Sequence, residues 1–182
     1  MFPETSILLG SLLSNVQGKF VLNVGSNTWE HYHDDQHWIW NNILKPLLER
    51  GCTILNVDLK KETHNLPKGL THEEWNAEVG LPYTHAWDII FCTSMIEHVE
   101  NPKLVMDNCH GVLREGGIMW LEAPSVYPIH HDPIDNGLRL KSGEEVNLLL
   151  KGWNIKSMAF FKSEAPFEGS GVLVKLVKAA KL

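Results

Sequence analysis

The residues of this chain best suited by type and spacing to chemistry are a glycine-containing loop, a carboxylate at the end of the next apolar run, and histidines gathered in two polar stretches. The segment Val21-Leu-Asn-Val-Gly-Ser-Asn-Thr28 passes from a β-branched apolar stretch straight into polar residues, and Gly25 lets backbone come close to a bound ligand. Asp58 closes the following apolar stretch, where a carboxylate can accept hydrogen bonds from both hydroxyls of an adenosine ribose. Taken alone these are also a plain strand-to-helix turn and a solvated strand-end aspartate. Together they point to an adenosine-bearing ligand and leave a nicotinamide and a sulfonium cofactor both open. His130 and His131, with Asp132, Asp135 and Arg139 nearby, have the proton affinity needed to take up a proton near neutrality, and so does His98. In a second cluster, His31, His33 and His37 with Asp34 and Asp35 could ligate a metal, but the stretch reads better as a solvated entry into the helix that follows, and no metal is expected.

These residues need a scaffold, and the chain has an ordinary one. At 182 residues, 43% hydrophobic and 21% charged, it fits one globular domain spanning residues 1–182. A formal net charge of -6 disfavours a phosphate-binding surface, so nucleic acid is not an expected partner and a small-molecule acceptor is. The apolar run Ile7-Leu-Leu-Gly-Ser-Leu-Leu13 is too short to cross a bilayer and reads as a surface helix. Glu4 stands where a signal peptide would carry positive charge, and the lack of a close cysteine pair makes a reducing cytoplasm the expected location. Cys52, Cys92 and Cys109 lie in apolar stretches with no close pair, which argues against a disulfide framework. The sequence does not give an oligomeric state.

Helix and strand signals alternate. Helical spacing over Ile7 to Val16, stopped by Gly18, precedes a strand at Phe20-Val24; another strand follows at Thr53-Val57. Between them Trp38, Ile39, Ile43, Leu44, Leu47 and Leu48 predict a helix that Pro46 should kink or restart and Gly51 should end. Trp87-Cys92 predicts a third strand, with a helix through Leu104, Val105 and Val112 closed at Gly116-Gly117, and Ile118-Glu122 a fourth strand. Ser142 with Glu145 has the spacing of a capping box opening a late helix through Leu150. Asn154-Phe161 and Val172-Val177 predict an antiparallel hairpin at the sheet edge. Lys60 to Gly80 is ambiguous: Thr71 and Glu74 could cap a short helix, and a minor strand is the alternative. The expected fold is α/β, doubly wound and mostly parallel with an antiparallel C-terminal hairpin, and it places ligands at the carboxyl ends of the strands.

Val21-Thr28, Leu55-Asn-Val-Asp58, Leu81-Pro-Tyr83, Trp87 through Pro102 and Val112-Leu-Arg-Glu-Gly-Gly117 resemble, in order and spacing, the motifs of class I S-adenosylmethionine-dependent methyltransferases with a Rossmann-like sheet, across roughly residues 19 to 122. His130-His-Asp-Pro-Ile-Asp-Asn-Gly-Leu-Arg139 is similar to a segment of bacterial members that modify sugars and surface polysaccharides. The resemblance implies S-adenosylmethionine as cofactor. Asn23, Gly25, Ser26 and Asn27 would lie along its methionine part, Asp58 at the ribose and Leu59 on the adenine. Asn76 and Ala77 would face the adenine amino group, Cys92, Thr93 and Ser94 would line the methionine side, and His98 would sit near the cofactor. The acceptor would be a small molecule such as a sugar, with His130 or His131, and Asp132 beside them, as the base. The family usually has an acidic residue where Asn23 stands and a glycine where Asn27 stands, so the cofactor's ammonium group lacks its usual charged acceptor here. A non-catalytic cofactor-binding or partner-binding relative is the alternative. A nicotinamide enzyme is disfavoured because the three-glycine fingerprint is missing.

Overall fold

The computed structural model describes residues 3–25, 39–60, 66–129, 135–163 and 169–179. Their strands form one seven-stranded sheet. In chain order these are β1 (Phe20–Val24), β2 (Thr53–Asp58), β3 (Leu70–Glu74), β4 (Trp87–Thr93), β5 (Leu113–Val126), β6 (Asn154–Ser163) and β7 (Gly169–Val177). They are arranged in the order β3-β2-β1-β4-β5-β7-β6. Strands β1 to β5 pair in parallel, and β7 pairs antiparallel to both β5 and β6. The expected C-terminal hairpin is therefore present, with β7 inserted beside β5 and β6 forming the edge. The chain steps outward from β1 to β3 and then returns to the other side of β1 at β4. That reversal opens a crevice at the carboxyl ends of β1 and β4.

Both faces of the sheet are covered, and so its central strands are mostly apolar, with a few buried polar residues such as Asn23 and Asn56. Leu22, Val24, Leu55, Val57, Ile90 and Leu121 point to one face, where they meet Val105, Met106 and Cys109 of α3 (Pro102–Val112) and Val146 of α4 (Gly143–Leu149). Val21, Ile54, Ile89, Phe91 and Trp120 point to the other, against Leu9 of α1 (Pro3–Leu12) and Leu47 of α2 (Lys45–Glu49). At Gly10 a Cβ would collide with the Asn42 carbonyl, so glycine is what lets α1 approach the segment before α2 so closely. The three cysteines are buried and free. Ser142 and Glu145 form both halves of the capping box at α4.

Pro46 acts as expected. It has no N–H to donate, and the chain runs through a π-helical turn at Trp40–Leu44 before α2 starts, with the Lys45 N–H reaching back to the Trp40 carbonyl. Trp38 lies outside the described residues. Gly51, at φ 75°, donates its N–H to the Leu48 carbonyl and ends the helix.

One expectation is corrected, and one open alternative is settled. Gly116-Gly117 does not close the α3 helix, which stops at Val112 because Leu113 is already extended and paired with Trp87. The pair sits inside β5, at a bulge between the Trp87–Leu113 and Ile89–Ile118 pairs, with Gly116 at φ 71°. The ambiguous stretch resolves as β3, not a capped helix: Leu70–Glu74 pairs with Ile54–Asp58 at the sheet edge, where its polar side chains face water.

Candidate functional site

Four strand ends converge at the reversal point. A cavity of about 360 Å³ is walled by Gly25 after β1, Val57 to Lys60 around the end of β2, Trp75 to Glu78 after β3, and Ser94, Met95, His98 and Val99 after β4. Its size lies within the range of small-ligand pockets.

Gly25 is required twice over. It holds φ 75°, and a Cβ there would run into the Met95 side chain. Its N–H donates to the Val57 carbonyl at 2.9 Å, tying the β1 loop to β2. Asp58 follows with a carboxylate on the wall; among the described residues its Oδ1 is engaged by the Lys60 N–H at 3.1 Å. Leu59 next to it is 67% exposed, an apolar side chain left uncovered on the wall of the cavity.

The turn after β3 is held by α3. Asn108 Nδ2 donates to the carbonyls of Ala77 and Glu78 at 2.8 and 3.2 Å, and Glu78 Oε1 accepts from the Asn101 N–H at 2.6 Å. Asn76 Oδ1 accepts from the Glu78 N–H, and Trp75 Nε1 donates to the Gly80 carbonyl, so this wall is built from side-chain bonds that close the turn on itself.

The fourth wall contains a left-handed serine. Ser94, at φ 47°, donates its Oγ–H to Glu122 Oε2 at 2.7 Å and its N–H to the Glu122 carbonyl at 3.1 Å. Glu122 lies in β5 and is fully buried. Glu97, in the 3-10 turn Ile96–His98, is also buried. Burial, and secondly the Glu122 charge, push its carboxyl up to about 7. His98 Nε2 lies 3.8 Å from Glu97 Oε1. The Asn136 amide fastens this turn from outside, donating from Nδ2 to the carbonyls of Ile96 and Val99 at 2.9 and 2.6 Å.

Asn136 belongs to the segment that leaves β5. Arg139 grips Asp135 with two bonds, NH1 to Oδ1 at 3.0 Å and NH2 to Oδ2 at 2.6 Å, and also donates to the carbonyls of Tyr127 and Pro128. Both side chains of this ion pair are buried, and Arg139 thereby ties Asp135 to the Tyr127 and Pro128 carbonyls.

Of the residues expected at a cofactor site, Gly25, Asp58, Leu59, Asn76, Ala77, Ser94 and His98 come together on one cavity. Asn23, Cys92 and Thr93 do not reach its wall: they are buried within β1 and β4, and Asn23 Nδ2 donates to Asn56 Oδ1 at 3.1 Å on the adjacent strand. Ser26 and Asn27, the candidate bases His130 and His131 with Asp132, and the cluster His31, His33 and His37 lie outside the described residues. Among the described residues no His, Cys, Asp or Glu group could hold a metal ion, and no helix is long and apolar enough to cross a membrane. Sequence reasoning missed Met95, Val99, Trp75 and Glu122. Trp75 lay in the ambiguous stretch, and Glu122 was read only as the end of a strand.

The donor set suits an adenosyl ligand. The lining combines a strand-end carboxylate at Asp58, apolar surface at exposed Leu59 with Ala77 and Val99, and Gly25 and Ser94 just after β1 and β4.

Comparison with known proteins agrees. Residues 41–121 match a family model described as a methyltransferase domain. The ubiquinone biosynthesis O-methyltransferases of Psychrobacter cryohalolentis and Psychrobacter arcticus are each 32% identical over 85 residues, 40% of this chain. The matched part spans about a third, 32%, of the length of these curated relatives. Among solved structures, an S-adenosylmethionine-dependent methyltransferase from Mesorhizobium loti superposes with a TM-score of 0.67 at 16% identity, covering 94% of this chain and 96% of that one. The [4+2]-cyclase SpnF superposes at 0.72 with 14% identity, covering 98% and 81%. At these identities the likeness is one of fold. Residues 41–121 are thus similar to a methyltransferase domain, and the described residues share the fold of solved S-adenosylmethionine-dependent methyltransferases.

Proposed function

We propose that this chain binds S-adenosylmethionine in the cavity at the reversal point and transfers its methyl group to a hydroxyl of a small acceptor, a sugar being the class favoured by the segment from His130 to Arg139. One observation carries the reading: the segments following β1, β2, β3 and β4 share a single cavity, with the Asp58 carboxylate on its wall. The curated relatives, named as O-methyltransferases, favour an oxygen acceptor.

The cofactor supplies an electrophilic methyl group on a positively charged sulfur. The chain's work is alignment, exclusion of water and proton removal. Asp58 accepts from the ribose hydroxyls. Leu59, Ala77 and Val99 enclose the base, with Asn76 and the carbonyls of its turn at the base's polar edge. Gly25, Ser26 and Asn27 pass along the methionine part, with His98 on the opposite wall. An imidazole nitrogen of His130 or His131, with Asp132 beside them in sequence, takes the proton from the acceptor hydroxyl.

Calorimetric titration with S-adenosylhomocysteine tests this. The native chain binds, and Asp58→Ala weakens binding by roughly 10- to 100-fold, the loss expected for a charged hydrogen-bond acceptor. No heat of binding to the native chain overturns the proposal. A second reading, cofactor binding without transfer, is favoured by the Asn23 amide being turned toward Asn56. Cofactor affinity with no methylated product from any hydroxyl acceptor supports that reading instead.

A further inference from the structure

A cofactor bearing an α-ammonium group calls for an anionic acceptor, and the position at which the family usually has one is Asn23 here. This inference rests on the proposed cofactor and concerns one end of its site. Asn23 is buried and donates to Asn56, so its amide serves the β1–β2 pairing and does not line the cavity. A carboxylate does connect with the cavity from the other side of the crevice. Glu122 sits in β5 in register with Thr93, fully buried, and Ser94 on the cavity wall donates its Oγ–H to Glu122 Oε2 at 2.7 Å.

The arrangement is chemically directional. A hydroxyl that donates to a carboxylate has only its lone pairs left for a ligand, and the charge behind it makes them stronger acceptors. Ser94 also holds φ 47°, a left-handed conformation that costs a residue with a Cβ about 1–2 kcal/mol, and its N–H is fixed to the Glu122 carbonyl. A cation brought to Ser94 interacts with that charge across a medium of low dielectric, and a neutral donor does so far less.

We propose that Ser94, polarised by the buried Glu122 carboxylate, accepts the α-ammonium group of the cofactor, and that this pair replaces the acidic residue absent at position 23. Ser94 touches the ligand, and Glu122 is a positioning residue that acts through it.

The test is calorimetric titration of the full chain with three probes: S-adenosylhomocysteine, its decarboxylated analogue, which keeps the amine, and 5′-methylthioadenosine, which has neither amine nor carboxylate. Ser94→Ala and Glu122→Gln should each weaken the two amine-bearing probes by about tenfold or more, and change methylthioadenosine binding less than about twofold. Ser94→Gly, which accepts the left-handed backbone freely, should reproduce the pattern and keeps the test available if Ser94→Ala or Glu122→Gln lowers the thermal midpoint. Equal losses on all three probes, loss on S-adenosylhomocysteine alone, or no loss on any would overturn the assignment. A native chain that binds none of the probes refutes the cofactor reading itself. One that binds all three while the variants show no selective loss refutes only the ammonium site.

Discussion

Glutamine in place of Glu97 should flatten the pH dependence of stability between pH 5 and 8. Burial, reinforced by the Glu122 charge, raises the Glu97 carboxyl from 4.5 to about 7. The native chain therefore keeps this proton up to about pH 7, whereas the unfolded chain releases it near 4.5. Between those values the native state binds more protons, and stability falls as pH rises. A displacement of this size corresponds to about 3 kcal/mol, lost progressively across that window and fully lost above it. Glutamine has nothing to titrate. Its own effect on packing is a constant offset, so the readout is the change in the difference between variant and native chain. That difference should move by about 3 kcal/mol in the variant's favour from pH 5 to pH 8, or about 6–12 °C in thermal midpoint for a domain of this size. Urea unfolding followed by far-UV circular dichroism at pH 5, 6, 7 and 8 measures it. Parallel stability curves for the two proteins would refute the reasoning, because they would mean that Glu97 releases its proton at the same pH folded and unfolded.

Three further outcomes follow from the geometry. Arg139→Ala leaves the buried Asp135 carboxylate without its two-pronged partner and should cost about 3–5 kcal/mol in chemical denaturation; a loss under about 1 kcal/mol would mean the clamp contributes little. Gly25→Ala should lose about 1–2 kcal/mol from its left-handed backbone alone and bind S-adenosylhomocysteine more weakly. Adding Met95→Ala should relieve the steric part but not the backbone part, which a double-mutant cycle on the thermal midpoint resolves. Ser142→Ala removes half of the capping box and should destabilise by about 1 kcal/mol while leaving ligand affinity unchanged, and an affinity loss would contradict the placement of α4 away from the cavity.

Much of the scaffold could be read from local pattern. The β-branched runs at Phe20–Val24 and Thr53–Asp58 became central strands because a strand covered on both faces is predominantly apolar. Ser142 with Glu145 and Pro46 with Gly51 were legible because caps and breaks depend on residues within one turn of each other. Gly116-Gly117 misled for the same reason: a glycine pair after a helix reads as its end, and only pairing with a distant strand shows it as a bulge within β5. In Leu70–Glu74 neither periodicity nor hydrophobicity marks a strand, since an edge strand has one wet side and takes its conformation from β2.

The site divides in the same way. The sequence by itself determined the ordered chemistry, Gly25 after one strand and Asp58 after the next, because a flexible backbone position and a carboxylate are properties of residue type. Only the tertiary structure decided which polar groups share a space. It turned Asn23 toward Asn56, kept Cys92 and Thr93 inside the sheet, and brought Ser94 and Glu122, 28 residues apart, within 2.7 Å. Side chains on adjacent parallel strands meet through register, and register is set by the packing of whole sheets and helices, which no local stretch of sequence contains.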